Sequence, residues 1–499
     1  MSWRIHVRII KILVLRESRM NERSRFLGMV LVTGLLTLTF LTNTGLSAAS
    51  TTDNNRSKAK TLESGTLPNK KMTVQDAIQL AIIRNFSLRS QALTIAQKEN
   101  IKWASYSDLL PQLNISYDSE INRYRQASNY GIFSGVHPSK WTYRGQTNTP
   151  TLLPLYPYRI DPYKTMTLTA TVTQPIFDAG RLGATYKYAV MDAVASAVDM
   201  ETMRRDLTKS VIQYFYQIVL GRKLVQVTDE SIRELTAFKA RAKALLKHGE
   251  ALKVDVAAAE ADLAKAKSRK SKALTDLETA QAQLNLVLAL PQGTCLNLDE
   301  KISYEQSPYS CPEIFMIAVS NRSEIKKANI SIDQAKAQVR IAQAALVPGV
   351  SLQLQGLRVN DDWNVFDPEG TNEWTVQGTL TWAFDLFRSR ETVRKQRNAH
   401  AQSFVNREYL IQQIMQQVQS AYLQVKQSEA NIEEFRSEIN WRQEQYYRTK
   451  EMYNQQLTSY LHVMDAITNL DVSKSNYFTA LANHVIYVAE LERQMGILK

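Results

Sequence analysis

The chain has 499 residues, 44% apolar and 22% charged, a balance that suits a folded protein and excludes wholesale disorder. Of its 61 basic and 48 acidic residues, seven and two lie in positions 1–49, which leaves 54 against 46 beyond, a net of +8. Those charges interleave, as in Arg233-Glu234 or Glu433-Glu434 with Arg436, which is a solvated helix surface and excludes a nucleic-acid patch.

Seven basic residues, Arg4 to Arg25, precede an apolar run at 26–41 and the small residues Ser47-Ala48-Ala49, so 1–49 is predicted to be an export signal cleaved after Ala49. The leader is long, which makes Met20 a second candidate start, and a membrane anchor is the alternative reading of the same run. No cysteine follows it, which removes the simplest lipoprotein reading. Residues 50–72 read as a linker. Beyond the signal there is no run of 18 apolar residues, so a membrane crossing by the exported chain must use strands. Glycine (17) and proline (13) are scarce while Ala, Gln, Lys, Glu and Leu dominate, which predicts long helices.

From residue 73 onward the chain is written twice, as a first repeat over 73–290 and a second over 323–499. At an offset of 237, Leu109-Leu110-Pro111 falls on Leu346-Val347-Pro348. At an offset of 207, Asp178 falls on Asp385, Arg181 on Arg388, Val211 on Val418, Val256 on Val463, Ala259 on Ala466 and Leu284 on Leu491. The change of offset places 30 extra residues of the first copy in the connection near 120–162, a Pro- and aromatic-rich loop that would face the exterior at a barrel mouth.

Each copy reads helix, strand, loop, strand, very long helix, turn, helix. The strands are predicted at about 112–124, 163–177, 349–358 and 373–385. In one of them Met166, Leu168, Ala170 and Val172 alternate with Thr167, Thr169, Thr171 and Thr173; in its counterpart Trp374, Val376, Leu380 and Trp382 alternate with Thr375, Gln377, Thr379 and Thr381. One apolar and one uncharged polar face suit lipid outside and water inside, although a small soluble sheet with one buried face shares that pattern. In a membrane, four strands cannot close around a lumen and open edges are forbidden, so several chains must contribute to one barrel.

Long helical hairpins are predicted at about 181–290 and 388–497. A seam of Leu207, Val211, Tyr214, Ile218, Val225, Ile232, Leu235, Ala242 and Leu246 lays the first long helix against a partner, and the Ala-rich return allows close approach. The hairpins turn at Gly249-Glu250 and Gln456-Leu457. Between the repeats, the 291–322 segment carries the two cysteines, Cys295 and Cys311, expected to pair in an oxidising compartment, with two free thiols as the alternative. The six histidines are scattered, with no His-Glu-x-x-His pair and no zinc-type cysteine spacing, and there is no phosphate loop. No enzyme activity, catalytic residue, cofactor or metal is expected.

Two motifs carry a resemblance. Gln174-Pro-Ile-Phe-Asp-Ala-Gly-Arg181 is similar to the strand-to-helix step of the TolC or outer-membrane-factor family, and Gly249-Glu-Ala-Leu-Lys-Val-Asp-Val256 to its hairpin tip. The resemblance covers essentially all of the chain after the signal. It implies a mainly α fold with a small transmembrane β part: a homotrimer whose twelve strands, four per chain, form one barrel in outer-membrane lipid, continued as an α-helical tunnel across the periplasm of a Gram-negative bacterium. It further implies docking on a periplasmic adaptor (membrane fusion) protein and an inner-membrane pump of RND or ABC type, in efflux or type I secretion.

The resemblance also assigns gate residues at the periplasmic end. Asp255 matches the acid of the first hairpin, Tyr453 the tyrosine that reaches it, and Asp465 one acid of a ring. Three positions depart from the family: His462 stands at the other ring position, Thr458 replaces an arginine that locks the closed state, and Gln456 replaces a turn glycine. The contacts with an adaptor are expected at Gly249, Glu250, Gln456 and Leu457. Spacing adds that His462 and Asp465, at i and i+3, share a helix face, so three copies would ring an axis with charge; the alternative is that both merely face solvent. A cation-preferring entrance that weakens on acidification is the corresponding expectation. The competing reading of the whole chain is an exported elongated coiled-coil scaffold or adhesin.

Overall fold

A computed structural model describes residues 71–122, 163–248, 252–360, 365–366, 370–382, 385–455 and 457–498. The expected signal, nearly all of the linker, most of the 120–162 connection and the tip residues Gly249, Glu250 and Gln456 lie outside them. The chain divides into two units, Met1–Lys71 and Met72–Lys499, and the second holds every element below.

The first copy comprises α1 (Val74–Arg84), α2 (Phe86–Ser107), β1 (Gln112–Asn122), β2 (Tyr163–Phe177), α3 (Arg181–Lys247) and α4 (Lys253–Val287). The second comprises α5 (Cys311–Asn321), α6 (Ser323–Ala344), β3 (Gly349–Asn360), β4 (Thr371–Thr381), α7 (Leu386–Asn454) and α8 (Tyr460–Met495). With 67 and 69 residues, α3 and α7 are each roughly 100 Å long at about 1.5 Å per residue.

The repeat is three-dimensional as well as textual. At the 237 offset Ala77 and Ala81 correspond to Ile314 and Ala318, and at the 207 offset Val211, Ile218, Leu284 and Leu288 correspond to Val418, Val425, Leu491 and Met495. All twelve are 1% exposed or less. They form two matching cores, one of α1, α3 and α4 with Leu296 and Leu298 of the inter-repeat segment 291–322, a belt at mid-length, the other of α5 to α8. Even the polar joints correspond: Asn85 Nδ2 donates to the Val287 carbonyl at 2.9 Å, and Arg322 Nη1 to the equivalent Gln494 carbonyl at 3.3 Å.

Local chemistry sets the element ends. Asp178 accepts from the Gly180 and Leu182 amides at the start of α3, and Asp385 accepts from the Arg388 amide at 3.2 Å as the N-cap of α7. β4 ends at Thr381, short of the 385 expected, and Asp385 serves α7 as its N-cap. Where α3 crosses α4, a Cβ at Gly221 would meet the Leu277 side chain at 3.1 Å, so the small residue permits the approach.

The predicted seam of α3 is only partly the buried one. Val211, Ile218, Leu235 and Ala242 are buried, while the other five are half-buried and Phe215, Val219 and Phe238 go deeper. The helix meets α1, α2, α4, α6 and α8, so its buried arc is wider than a two-helix seam.

The expected disulfide is corrected: Cys295 and Cys311 are free thiols. The chain between them leads from one core to the other, with Leu296 and Leu298 buried in the first and Ile314 in the second. A strap anchored at both ends has no reason to fold back on itself.

Candidate functional site

Two regions carry functional geometry, the sheet and the hairpin tips. The four strands form one antiparallel sheet in the order β1-β2-β3-β4, so β1 and β4 each have a neighbour on one side only. Residues opposite one another share a face, and the register aligns Leu113 with Val172, Leu354 and Val376, and Ile115 with Ala170, Gly356 and Trp374. This apolar face is open on the edge strands, where Ile115 is 61% exposed, Val376 55% and Trp374 76%, while Leu168, Ala170 and Val172 of β2 are half-buried and Met166 is buried. The opposite face is a polar lattice of Asn114, Thr171, Gln355 and Thr375. A soluble sheet buries its apolar face, and this one leaves most of it uncovered.

The band has edges. Trp374 and Trp382 stand eight residues apart, roughly 27 Å along a strand and about 21 Å once tilted by ~40°, which approximates the apolar height of a membrane barrel. Beyond Trp374 the outward positions of β3 and β4 turn polar, with Arg358 donating to the Asn372 side chain at 2.9 Å and to the Val365 carbonyl at 2.6 Å. Among the described residues no helix is long and apolar enough to cross a membrane.

At the other end α3, α4, α7 and α8 share one apolar cluster containing Phe238, Ala259, Tyr446, Tyr460 and Met464. Asp255 Oδ2 accepts from the Leu252 amide at 3.1 Å and caps α4. Burial holds Tyr453 above the ordinary phenol range; Arg241 pulls the other way and the Asp255 charge adds a smaller push upward. Tyr453 packs edge-on against Phe238 at 5.8 Å and lies under the Arg241 guanidinium at 5.4 Å. Arg241 also bonds Asn454 Oδ1, so one residue of α3 grips the last turn of α7. This contact escapes sequence reading because it joins solvated faces 213 positions apart.

The remaining predicted site residues are placed as follows. His462 and Asp465 are both exposed on α8, opposite the buried Val463, Met464, Ala466 and Ile467. Thr458 is half-buried. Leu457 is 67% exposed, and beside it the tips present Leu252, Val254 and Leu461, each more than 60% exposed and unpredicted as contact residues.

Comparison with known proteins agrees with this geometry. The model of the outer membrane efflux protein family matches residues 77–290 and 316–496. An uncharacterized Haemophilus influenzae protein is 26% identical over 173 residues, 34% of this chain and 38% of that one, so the match spans well under half of that relative. The fold is similar to a membrane protein from Pseudomonas aeruginosa (TM-score 0.70, 18% identity, 85% of this chain and 93% of that one). It is also similar to the Campylobacter jejuni CmeC outer membrane channel (0.68, 16%, 87% and 90%) and to the open state of the Neisseria gonorrhoeae MtrE outer membrane channel (0.66, 17%, 85% and 89%). At such identities the likeness is one of fold. The family match, over most of the chain, places it in the outer membrane of a Gram-negative bacterium: the chain belongs to the outer membrane efflux protein family.

Proposed function

We propose that this chain is one third of a passive efflux or secretion duct. Three copies pair β4 of one with β1 of the next, closing a twelve-stranded barrel whose apolar face meets lipid. The observation that carries this reading is the uncovered apolar face of a sheet with two unpartnered edges, which is stable only when lipid covers the face and other strands cover the edges. The helical hairpins extend the duct through the periplasm. The exposed apolar tips, Leu252, Val254, Leu457 and Leu461, with Gly249, Glu250 and Gln456, are the surface offered to a periplasmic adaptor, and an inner-membrane RND or ABC-type pump supplies the energy. The same exposed band argues against a free-standing scaffold or adhesin, which has no use for it.

The gate lies at the hairpin tips, among Asp255, Tyr453, Thr458, His462 and Asp465. With threonine at 458, the grip of Arg241 on Asn454 and Tyr453 is the polar contact nearest the tips that holds the last turn of α7 against the first hairpin. The test is extraction of the mature protein in detergent, mass determination and single-channel recording in planar bilayers. A trimer that conducts, with higher conductance in Arg241→Ala, is expected. A monomeric, surfactant-free rod without conductance overturns the duct, and a conducting trimer indifferent to Arg241→Ala overturns the grip alone.

A further inference from the structure

Four helices meet the sheet at one and the same end: α2 leads into β1, β2 into α3, α6 into β3 and β4 into α7. At that end carboxylates are scarce. No acid lies between Asp178 and Asp192 on α3 or after Asp333 on α6, and residues 386–407 of α7 hold one, Glu391, against six cations. Glu391 is taken by Arg394 at 2.6 Å, and Asp178 and Asp385 accept from helix amides. Arg181, Lys187, Arg340, Arg388 and Arg390 are exposed, with no ion-pair partner among the described residues. Farther from the sheet the same helices pair their cations, Lys98 with Asp192 at 2.8 Å and Lys327 with Asp199 at 2.6 Å. Unpaired cations gathered at one level repel one another unless an anion stands among them.

The same level offers an anion a place. Between α3 and α6 lies an open groove of about 460 Å3, lined by Lys187 and Arg340 together with Gly180, Gly183 and Val347. A Cβ added at either glycine would meet nothing within 4 Å, so the groove is free of side-chain bulk there. Its sheet end, at Val347, is apolar, and its far end carries the two cations. Lys187 stands six residues into α3, about 9 Å at about 1.5 Å per residue. A headgroup layer adds roughly 5–8 Å to each side of the hydrocarbon core, within reach of a long basic side chain. Aromatic side chains mark the boundary: Trp382 is 51% exposed and Phe387 89%.

We propose that the junction of sheet and helices is a binding site for an acidic phospholipid of the periplasmic leaflet. The acyl chains lie on the apolar face of the sheet, and the phosphodiester enters the groove between α3 and α6, where Lys187 and Arg340 donate charge-assisted hydrogen bonds to its oxygens. Arg181, Arg388 and Arg390 extend the site into a basic collar, which favours a headgroup of net negative charge over a zwitterionic one. The inference rests on the barrel reading, because only a sheet seated in lipid brings headgroups to this level.

The experiment titrates the full mature protein, in a neutral detergent, with phosphatidylglycerol or phosphatidylcholine and counts retained lipid by native mass spectrometry. Phosphatidylglycerol is expected to bind more tightly. Lys187→Gln combined with Arg340→Gln should weaken it about 25-fold, at roughly fivefold per charge lost, and leave phosphatidylcholine unchanged. Lys267→Gln with Lys272→Gln, which removes the same charge from the exposed surface of α4, should have no effect. The preference should fade with salt, since the screening length falls from about 10 Å at 0.1 M to about 3 Å at 1 M. Glycerol phosphate, the headgroup without its chains, should not compete. Equal binding of the two lipids, an unaffected Lys187→Gln and Arg340→Gln variant, or displacement by glycerol phosphate, which would place the cations in the aqueous bore, overturns the proposal. In a trimer that conducts, any of these results leaves the duct standing, whereas a surfactant-free monomer ends both readings.

Discussion

Corresponding positions in the two copies show what a single residue must do here. The return helix of each hairpin ends on a left-handed residue, Ala289 (φ 53) after α4 and Gly496 (φ 74) after α8, exactly one repeat offset of 207 apart. In the first copy the strain of a side chain at positive φ is tolerated. In the second it is not, because a Cβ at Gly496 would lie 3.0 Å from the Asn321 carbonyl carbon and 3.2 Å from the Arg322 nitrogen, backbone that carries the buried Arg322 joint. Gly180 has the same conformation (φ 78) with open space around it. Gly496→Ala should therefore destabilise the fold by about 2–3 kcal/mol and Gly180→Ala by about 1 kcal/mol. Thermal unfolding of the two variants side by side checks the order; an equal loss would show that steric contact at Gly496 is relieved by a backbone shift.

At the scale of elements, strands and helices differed in how legible they were. The sheet was readable because its period-2 pattern is unbroken, with Leu168, Ala170 and Val172 facing one way and Thr167, Thr169 and Thr171 the other, and because the pattern occurs twice. The repeat itself was readable since the buried positions of one hairpin, such as Val211 and Leu284, recur at a constant offset as Val418 and Leu491. The hand of the strap from 295 to 311 was not, because nothing local distinguishes an extended chain between two cores from a loop closed by Cys295 and Cys311. Nor was Arg241, whose grip on α7 comes from faces that meet only after the hairpins pack. The strand pattern gives its own test. Val172→Arg places a charge in the middle of the apolar face and should cost about 2–4 kcal/mol, while Thr171→Arg, one residue away on the polar face, should fold nearly as the parent does. Urea titration after refolding into lipid vesicles measures both; similar losses would mean that the two faces are not lipid and water.

On the scale of the whole molecule, stability is distributed in zones along the helices. Cores around Val211 and Leu284, and around Val418 and Leu491, hold the belt, and a separate cluster around Phe238, Tyr446 and Met464 holds the tips. On α3 the two clusters lie 16 residues apart, from Val219 to Leu235, about 24 Å of helix in which Val227 and Ser231 are also buried. Long helices transmit order along their axis, yet the tip cluster shares no residue with either core. The smaller cluster of Ile432, Ala480 and Leu481 between them joins α7 to α8 and not to α3, which leaves α4, α7 and α8 free to separate from α3 near the tips while their other ends stay packed. Phe238→Ala removes an aromatic side chain from the centre of the tip cluster and should cost about 3–5 kcal/mol there. If stability were one cooperative quantity, that loss would appear everywhere. With zoned cores, hydrogen exchange should accelerate over 235–246 and 446–467 and remain unchanged over 211–219 and 414–425. A uniform acceleration would show that the belt and the tips open together, and would remove the structural basis for a tip that moves on a fixed barrel.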